Sequence, residues 1–151
     1  MIKEKKKRLV LASDHAGYEL KEKLKPVLEE NEIPFNDLTP GFDREDDYPD
    51  VAFKTGRKVV KEGTRGILLC GTGIGMSMCA NKVRGVRAAN AYDEKTARLS
   101  RQHNDSNILC VGARTVSEEE AKKILKAWLT TRFLEGRHAR RVNKIKEFER
   151  K

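Results

Sequence analysis

Three glycines lie within five residues of one another in the segment Cys70-Gly71-Thr72-Gly73-Ile74-Gly75, between an apolar run and a helical pattern. Glycines let the backbone turn tightly and point successive N–H groups into one concavity. Such a concavity suits a phosphate group or a developing oxyanion, although the segment could also be only a turn that packs a helix. A dinucleotide-binding loop needs Gly-x-Gly-x-x-Gly, and the third glycine comes one residue too early here. We therefore exclude nucleotide binding.

Cys70 stands where the apolar run ends and the glycine segment begins. Helix-terminal N–H groups favour a thiolate, so this position predicts a base or a nucleophile. The alternative is a small buried hydrophobic residue, and we favour that alternative for Cys79 and Cys110. Three cysteines without paired spacing indicate a reducing compartment, so we expect a cytoplasmic protein.

Two pairs of proton-transferring and amide side chains flank other predicted elements. Asp14 and His15 follow the first predicted strand, and His103 and Asn104 follow the helix after the fourth. A histidine can exchange a proton near neutral pH and an aspartate can orient or accept one. We expect all four at the carboxyl edge of a sheet, although each could instead be a structural or surface residue.

Three arginines could bind a phosphate group. Arg114 follows the fifth predicted strand, and Arg137 and Arg141 stand four residues apart in the last predicted helix. Two guanidinium groups on one helix face suit a phosphate, but they could equally form a solvated basic face. The three histidines show no short ligand spacing, which argues against a metal site.

Short β-branched runs alternate with longer amphipathic stretches along the chain, which predicts a parallel sheet. The predicted strands are Arg8–Ser13, Pro34–Leu38, Arg65–Cys70, Val86–Ala91 and Ile108–Val111. The predicted helices are Tyr18–Glu30, Val51–Glu62, Ile74–Lys82, Glu94–Gln102, Ser117–Phe133 and Arg137–Arg150. We expect one three-layer α/β domain over residues 1–151, with a five-stranded parallel sheet and helices on both faces, as in Rossmann-like folds. Ligands of such sheets bind at the carboxyl ends of the strands, at a topological switch point.

The net charge of +9 is concentrated at the two ends of the 151-residue chain. Residues 1–8 form a basic N-terminal extension and 137–151 a second basic segment, while the body between them is neutral. No RNA-binding motif, zinc-finger spacing or aromatic platform accompanies this charge, so we expect no nucleic-acid partner. No apolar run reaches the roughly 18 residues of a membrane span, so we expect no membrane partner either.

Seven short segments nevertheless occur together and in order, and they resemble the type B ribose-5-phosphate isomerase family, which includes the subunits of galactose-6-phosphate isomerase. The segments are Ser13-Asp14-His15-Ala16-Gly17, Asp47-Tyr48-Pro49, Cys70-Gly71-Thr72-Gly73-Ile74-Gly75, Ala80-Asn81-Lys82, Gly85-Val86-Arg87-Ala88, Ser100-Arg101-Gln102-His103-Asn104-Asp105 and Gly136-Arg137-His138. The resemblance extends from Leu9 to about Phe148. It implies an aldose–ketose isomerase of the pentose phosphate pathway, free of cofactor and metal, that converts ribose 5-phosphate to ribulose 5-phosphate through a cis-enediolate.

The resemblance also implies roles for the reacting groups. Cys70 would be the base that moves the proton between C2 and C1 of the sugar. The N–H groups of Gly71–Gly75 and the hydroxyl of Thr72 would stabilise the enediolate. His103 would protonate the ring oxygen and Asp14 would help to open the ring.

Further residues would bind the substrate, with the active site at a homodimer interface, possibly within a tetramer. Asn104 would hold a sugar hydroxyl and Tyr48 would line the pocket. The phosphate would meet His15, Arg114 and, from the last helix of a partner subunit, Arg137 and Arg141.

One departure from the family pattern strengthens the assignment of the base. A branch of the family has a glutamate base on the helix after the glycine loop, where this sequence has Met76. A thioether cannot take a proton, so the base must be Cys70, with Asp14 as the next candidate. The alternatives are an isomerase of allose 6-phosphate, galactose 6-phosphate or a tetrose phosphate, or a non-catalytic module that binds a phosphorylated ligand.

Overall fold

Five parallel strands form one sheet in the order β2-β1-β3-β5-β4. The computed structural model describes residues 7–151. The strands are β1 (Leu9–Ser13), β2 (Phe35–Asp37), β3 (Gly66–Cys70), β4 (Ala88–Asn90) and β5 (Ile108–Gly112). The helices are α1 (Tyr18–Glu30), α2 (Tyr48–Glu62), α3 (Ile74–Ala80), α4 (Glu94–Asn104), α5 (Glu118–Thr130) and α6 (Arg137–Glu149).

The three central strands are buried along their whole length, because helices cover both faces of the sheet. Successive side chains of a strand point to opposite faces, so each strand contributes to two cores. One core packs the sheet against α1, α4 and α5, with Trp128 fully buried at its centre. The other packs it against α2 and α3, and Cys110 is fully buried there. The predicted three-layer α/β fold with five parallel strands is therefore confirmed.

Two helices differ from the prediction at the ends that matter for the site. The helix α2 begins at Tyr48 rather than Val51, because Pro49 fits the first turn of a helix, where no intrahelical N–H bond is needed. The helix α4 continues through His103 and ends at Asn104, and the residue after it, Asp105, has a φ of 46°. Tyr48 and Pro49 therefore lie on α2, and His103 and Asn104 lie on α4.

The helix α5 is shorter than predicted. It begins at Glu118, after the side chain of Ser117 accepts a hydrogen bond from the Glu120 N–H at 3.1 Å, and it ends at Thr130. The Ser117 side chain therefore caps the N-terminal end of α5.

The last helix, α6, packs against α4 through the buried side chains of His138 and Val142. Its C-terminal end is tied to the segment before β4, where Glu149 accepts hydrogen bonds from the Gly85 N–H at 3.1 Å and from the Arg84 guanidinium. The predicted basic extension over residues 1–8 falls mostly outside the described residues. Among residues 7–151 no helix combines the length and apolar character that a membrane span requires.

Candidate active site

A pocket of about 490 Å³ opens at the carboxyl ends of β1 and β3. The chain leaves β1 toward β2 on one side of the sheet, and β3 lies on the other side of β1, so this is the topological switch point. The residues that line the pocket are Asp14, His15, Ala16, Tyr48, Cys70, Gly71, Thr72, Ile74, Gly75, Met78 and Arg114.

The Cys70 thiol lies at the base of the glycine loop and is only 4% exposed. Its Sγ accepts a hydrogen bond from the Gly73 N–H at 3.0 Å. Gly73 has a φ of 81°, and a Cβ there would lie 2.4 Å from Oδ1 of Asn90, so only glycine fits. The turn therefore depends on glycine for both its backbone angle and its space, and it directs an N–H group at the sulfur.

The glycine loop also offers N–H groups that its own turn leaves open. The Ile74 N–H donates to the Thr72 hydroxyl at 3.2 Å, and the Gly73 N–H is taken by Cys70. The N–H groups of Gly71, Thr72 and Gly75 have no acceptor among the hydrogen bonds of the described residues. These three donors can serve an oxyanion above the loop.

Asp14 is a buried carboxyl group at the edge of the same pocket, 6% exposed. Its Oδ1 accepts a hydrogen bond from the Gly17 N–H at 3.0 Å. Burial raises the pKa of this carboxyl, and the bond from Gly17 and the nearby His15 only partly oppose the shift. Asp14 is therefore a group that can hold a proton at a higher pH than an exposed aspartate.

His15 is held by one carboxylate oxygen. Asp46 Oδ1 accepts a hydrogen bond from the backbone N–H of His15 at 2.9 Å and lies 2.7 Å from its ring Nδ1. The hydrogen bond with Asp46 raises the pKa of the His15 imidazole, and the charge of Asp14 adds to the effect. The sequence analysis does not find Asp46, because 31 residues separate it from His15 and no local pattern links them.

Arg114 and Tyr48 form two walls of the pocket over glycines. A Cβ on Gly71 would lie 3.1 Å from a guanidinium nitrogen of Arg114, and a Cβ on Gly75 would lie 2.6 Å from the Tyr48 ring. A side chain at Gly75 would therefore displace the Tyr48 ring, and one at Gly71 would need Arg114 to shift by a few tenths of an ångström.

A second pocket, of about 290 Å³, lies between α4 and α6. Four of the residues that line it are ones that the sequence analysis singles out, namely His103, Asn104, Arg137 and Arg141. The lining is completed by His138, Val142 and Ile145. The rings of His103 and His138 stack with centroids 4.2 Å apart and planes 10° apart. Burial lowers the pKa of His138, and the nearby His103, Arg137 and Arg141 lower it further.

The expectation that His103 and Asn104 lie at the carboxyl edge with Cys70 is wrong. Because α4 crosses back over parallel strands, it runs against them and its C-terminal end lies at their amino edge. The Asn104 carbonyl accepts a hydrogen bond from Nε of Arg87, the residue directly before β4, at 3.2 Å. One chain thus carries two separate half-sites at opposite edges of its sheet.

Comparison with known proteins agrees with these features. The model of the Ribose/Galactose Isomerase family matches residues 9–145. The chain is 39% identical over 146 residues to ribose-5-phosphate isomerase B of Escherichia coli, and the match covers 96% of this chain and 98% of that protein.

Two solved structures have the same fold. Ribose-5-phosphate isomerase B of Mycoplasma genitalium, solved with bound ribulose-5-phosphate, superposes with a TM-score of 0.91 at 45% identity, covering 95% of this chain and 97% of that one. The Clostridium thermocellum ribose-5-phosphate isomerase B gives a TM-score of 0.92 at 41% identity, covering 95% and 98%. The resemblance drawn from the seven segments is therefore confirmed.

Proposed function

The chain belongs to the ribose/galactose isomerase family, and from that premise we propose how it interconverts D-ribose 5-phosphate and D-ribulose 5-phosphate. The observation that supports this best is the Cys70 thiol, which lies beside three open N–H groups in a pocket that also holds Asp14, His15 and Arg114. The reaction oxidises C2 of the sugar and reduces C1, so its electrons balance within one molecule.

Cys70 is the base of the proposed mechanism. Its thiolate takes the proton from C2, and the electron pair of that C–H bond forms the C1–C2 double bond as the carbonyl oxygen on C1 gains charge. The same sulfur then returns the proton to C1 while the hydroxyl proton on the C2 oxygen passes to the C1 oxygen. The oxygen on C2 thereby becomes the ketose carbonyl and the oxygen on C1 becomes a hydroxyl. A positioned general base contributes about 10² to 10⁴-fold to such a proton transfer.

The glycine loop stabilises the enediolate that forms between the two proton transfers. The open N–H groups of Gly71, Thr72 and Gly75 meet the charged oxygen, and the Thr72 hydroxyl assists them. A group fixed in place before the reaction stabilises charge without reorganising, which is the advantage of a backbone turn over a flexible side chain.

The phosphate is held at the mouth of the pocket by His15 and Arg114. A guanidinium group and an imidazolium group are suitable partners for a phosphate dianion. Their binding energy does no chemistry directly, but it positions C1 and C2 over the thiol.

A second copy of the chain completes the active site. His103, Asn104, Arg137 and Arg141 lie at the opposite edge of the sheet and cannot reach Cys70 of their own chain. In the proposed homodimer, the α4–α6 half-site of one copy covers the Cys70 pocket of the other. The partner's His103 gives a proton to the ring oxygen as the bond from that oxygen to C1 breaks, and Asp14 takes the proton of the C1 hydroxyl, so that the open aldehyde forms. The partner's Asn104 holds a sugar hydroxyl, and the partner's two arginines bind the phosphate.

Exposed apolar side chains beside both half-sites favour this assembly. Ile74 and Met78 are 50% and 63% exposed next to the Cys70 pocket, and Ile145 and Phe148 are 44% and 79% exposed on α6. Burying such side chains between two copies removes apolar surface from water, at about 25 cal/mol per Å². Both half-sites therefore carry exposed apolar surface that a partner chain would remove from water.

The three cysteines support the proposed cytoplasmic location. All of them are unpaired, and Cys70 must stay reduced to act as a base. A reducing compartment meets that requirement.

The test of the proposed function is an assay of ribose 5-phosphate isomerisation by Cys70→Ala, beside the unaltered chain and with a chelator present. The thiol is the base, so we expect kcat to fall by about 10² to 10⁴-fold. Cys79→Ala is the matched control, because Cys79 lies on α3 outside the pocket lining. Full activity in Cys70→Ala would move the base to Asp14, and turnover of only six-carbon or four-carbon sugar phosphates would overturn the assigned substrate.

A further inference from the structure

Asp46 lies outside the residues that the proposed mechanism uses, yet it makes the closest polar contact with one of them. The residue belongs to the loop between β2 and α2, and its side chain is 17% exposed. One of its oxygens, Oδ1, meets both the backbone N–H and the ring Nδ1 of His15, at 2.9 and 2.7 Å. Two bonds from different parts of one residue fix both the backbone position and the rotation of the ring.

This contact decides which ring nitrogen of His15 is available to a ligand. Nδ1–H donates to the Asp46 carboxylate, so Nε2 is the remaining donor when the ring is protonated, and it has no hydrogen-bond partner among residues 7–151. His15 lines the Cys70 pocket together with Arg114. The imidazole ring also separates the Asp46 carboxylate from whatever anion Nε2 meets, which limits the repulsion between the two negative charges.

We propose that Asp46 is a positioning residue for substrate binding, which holds the His15 ring so that its Nε2–H faces the phosphate of the sugar. The inference rests on the proposed function and deepens it. It adds to the phosphate site a residue that never touches the substrate.

The charges around His15 give this arrangement a pH dependence. Asp14 and Asp46 are the acidic neighbours, Arg114 is the cation in the same pocket, and Cys70 and Tyr48 are the other titratable groups that line it. The hydrogen bond with Asp46 is the largest contribution to the raised pKa of His15, and the charge of Asp14 also raises it. A raised pKa means that the imidazolium is present at low pH and is lost only as the pH rises through the shifted value.

The experiment compares Asp46→Asn with the unaltered chain. Asparagine keeps an oxygen acceptor of the same shape but removes the charge. In the free enzyme we expect the NMR titration midpoint of His15 to fall by about one pH unit. Inorganic phosphate should then bind about threefold more weakly at a pH midway between the two midpoints, about tenfold more weakly well above both, and equally well below both of them.

With ribose 5-phosphate as the substrate, the same variant should have a higher KM than the unaltered chain at pH values above the lower of the two His15 midpoints. Its kcat should be nearly unchanged, because Asp46 does not touch the reacting carbons. Glu45→Gln is the matched control, since it removes one negative charge from the same loop, and Glu45 has no side-chain bond to His15. A loop tether alone would change the unfolding free energy of Asp46→Asn but not its KM–pH profile.

An unchanged His15 midpoint in Asp46→Asn, or an equal fall in Glu45→Gln, would overturn the inference. The NMR titration and the phosphate binding require no turnover. A failure of the proposed isomerisation and a failure of the Asp46 role would therefore give different results.

Discussion

At the scale of single residues, the backbone of the glycine loop is as important to the site as its side chains. Gly73 adopts a φ of 81° and leaves room for the Asn90 side chain, and this conformation points its N–H at the Cys70 sulfur. Gly112 makes a similar approach, since a Cβ there would lie 2.4 Å from the Thr72 carbonyl carbon. Sequence spacing finds the three loop glycines, but it cannot find Gly112 or Asn90, because their roles depend on which strands are neighbours.

Gly73→Ala should therefore lower both stability and activity. A left-handed alanine is strained, and the contact with Asn90 adds to this cost, so we expect the unfolding free energy to fall by about 1–3 kcal/mol. Urea denaturation and kcat for ribose 5-phosphate are the measurements.

Gly41→Ala is the control for that experiment, because a Cβ at Gly41 would meet no atom within 4 Å. The double variant Gly73→Ala with Asn90→Ala should recover part of the stability, since it relieves the contact and leaves only the backbone strain. A Gly73→Ala protein as stable and as active as the unaltered chain would contradict this view of the loop.

At the scale of elements, the segment that links α4 to β5 holds the α4–α6 half-site in place. Ser106 Oγ accepts a hydrogen bond from the Trp128 indole N–H at 2.9 Å and lies 2.9 Å from the Ser100 hydroxyl. Arg101 bonds Asp105 at 2.9 Å, and Arg87 approaches the same carboxylate at 3.3 Å. Together these contacts fix the end of α4, where His103 and Asn104 stand.

Ser106→Ala should destabilise the protein by about 1–3 kcal/mol, because it leaves the buried Trp128 N–H without an acceptor. The loss is measured by urea unfolding. Thr130→Ala removes a hydroxyl whose only bond is to the Lys126 carbonyl on an exposed helix surface, and it should cost less than about 0.5 kcal/mol. Equal losses in the two variants would show that the buried bond contributes nothing beyond the loss of a hydroxyl.

The elements were largely predictable from the sequence, because alternating apolar runs and amphipathic stretches identify strands and helices wherever burial is strong. The predicted and observed ends differ by up to three residues, for example at Tyr48 and His103, where polar residues lie on a helix, and at the C-terminal end of α5. The direction of α4 follows from the parallel sheet, yet its consequence for His103 is overlooked when residues are judged only by their nearness to a strand. The role of Asp46 could not be predicted from the sequence, because its contact with His15 joins two loops that are far apart in the chain.

At the scale of the whole molecule, one chain presents two incomplete sites that face different edges of the sheet. The Cys70 pocket holds the proposed base and oxyanion donors, and the α4–α6 half-site holds His103 and two arginines. In the proposed symmetric dimer, the half-site of each copy would meet the pocket of the other, and two equal sites would form. The central claim is thus that Cys70 and His103 act together only across two chains.

Mixing two inactive variants tests that claim most directly. Cys70→Ala and His103→Ala are each purified, unfolded together in equal amounts, refolded, and assayed for ribose 5-phosphate isomerisation. If the site is shared, half of the refolded dimers are hybrids with one intact site of two, so the mixture should regain about a quarter of the unaltered activity. If Cys70 and His103 act within one chain, every site in the mixture keeps one defect, and activity no higher than that of the separate variants would contradict the account.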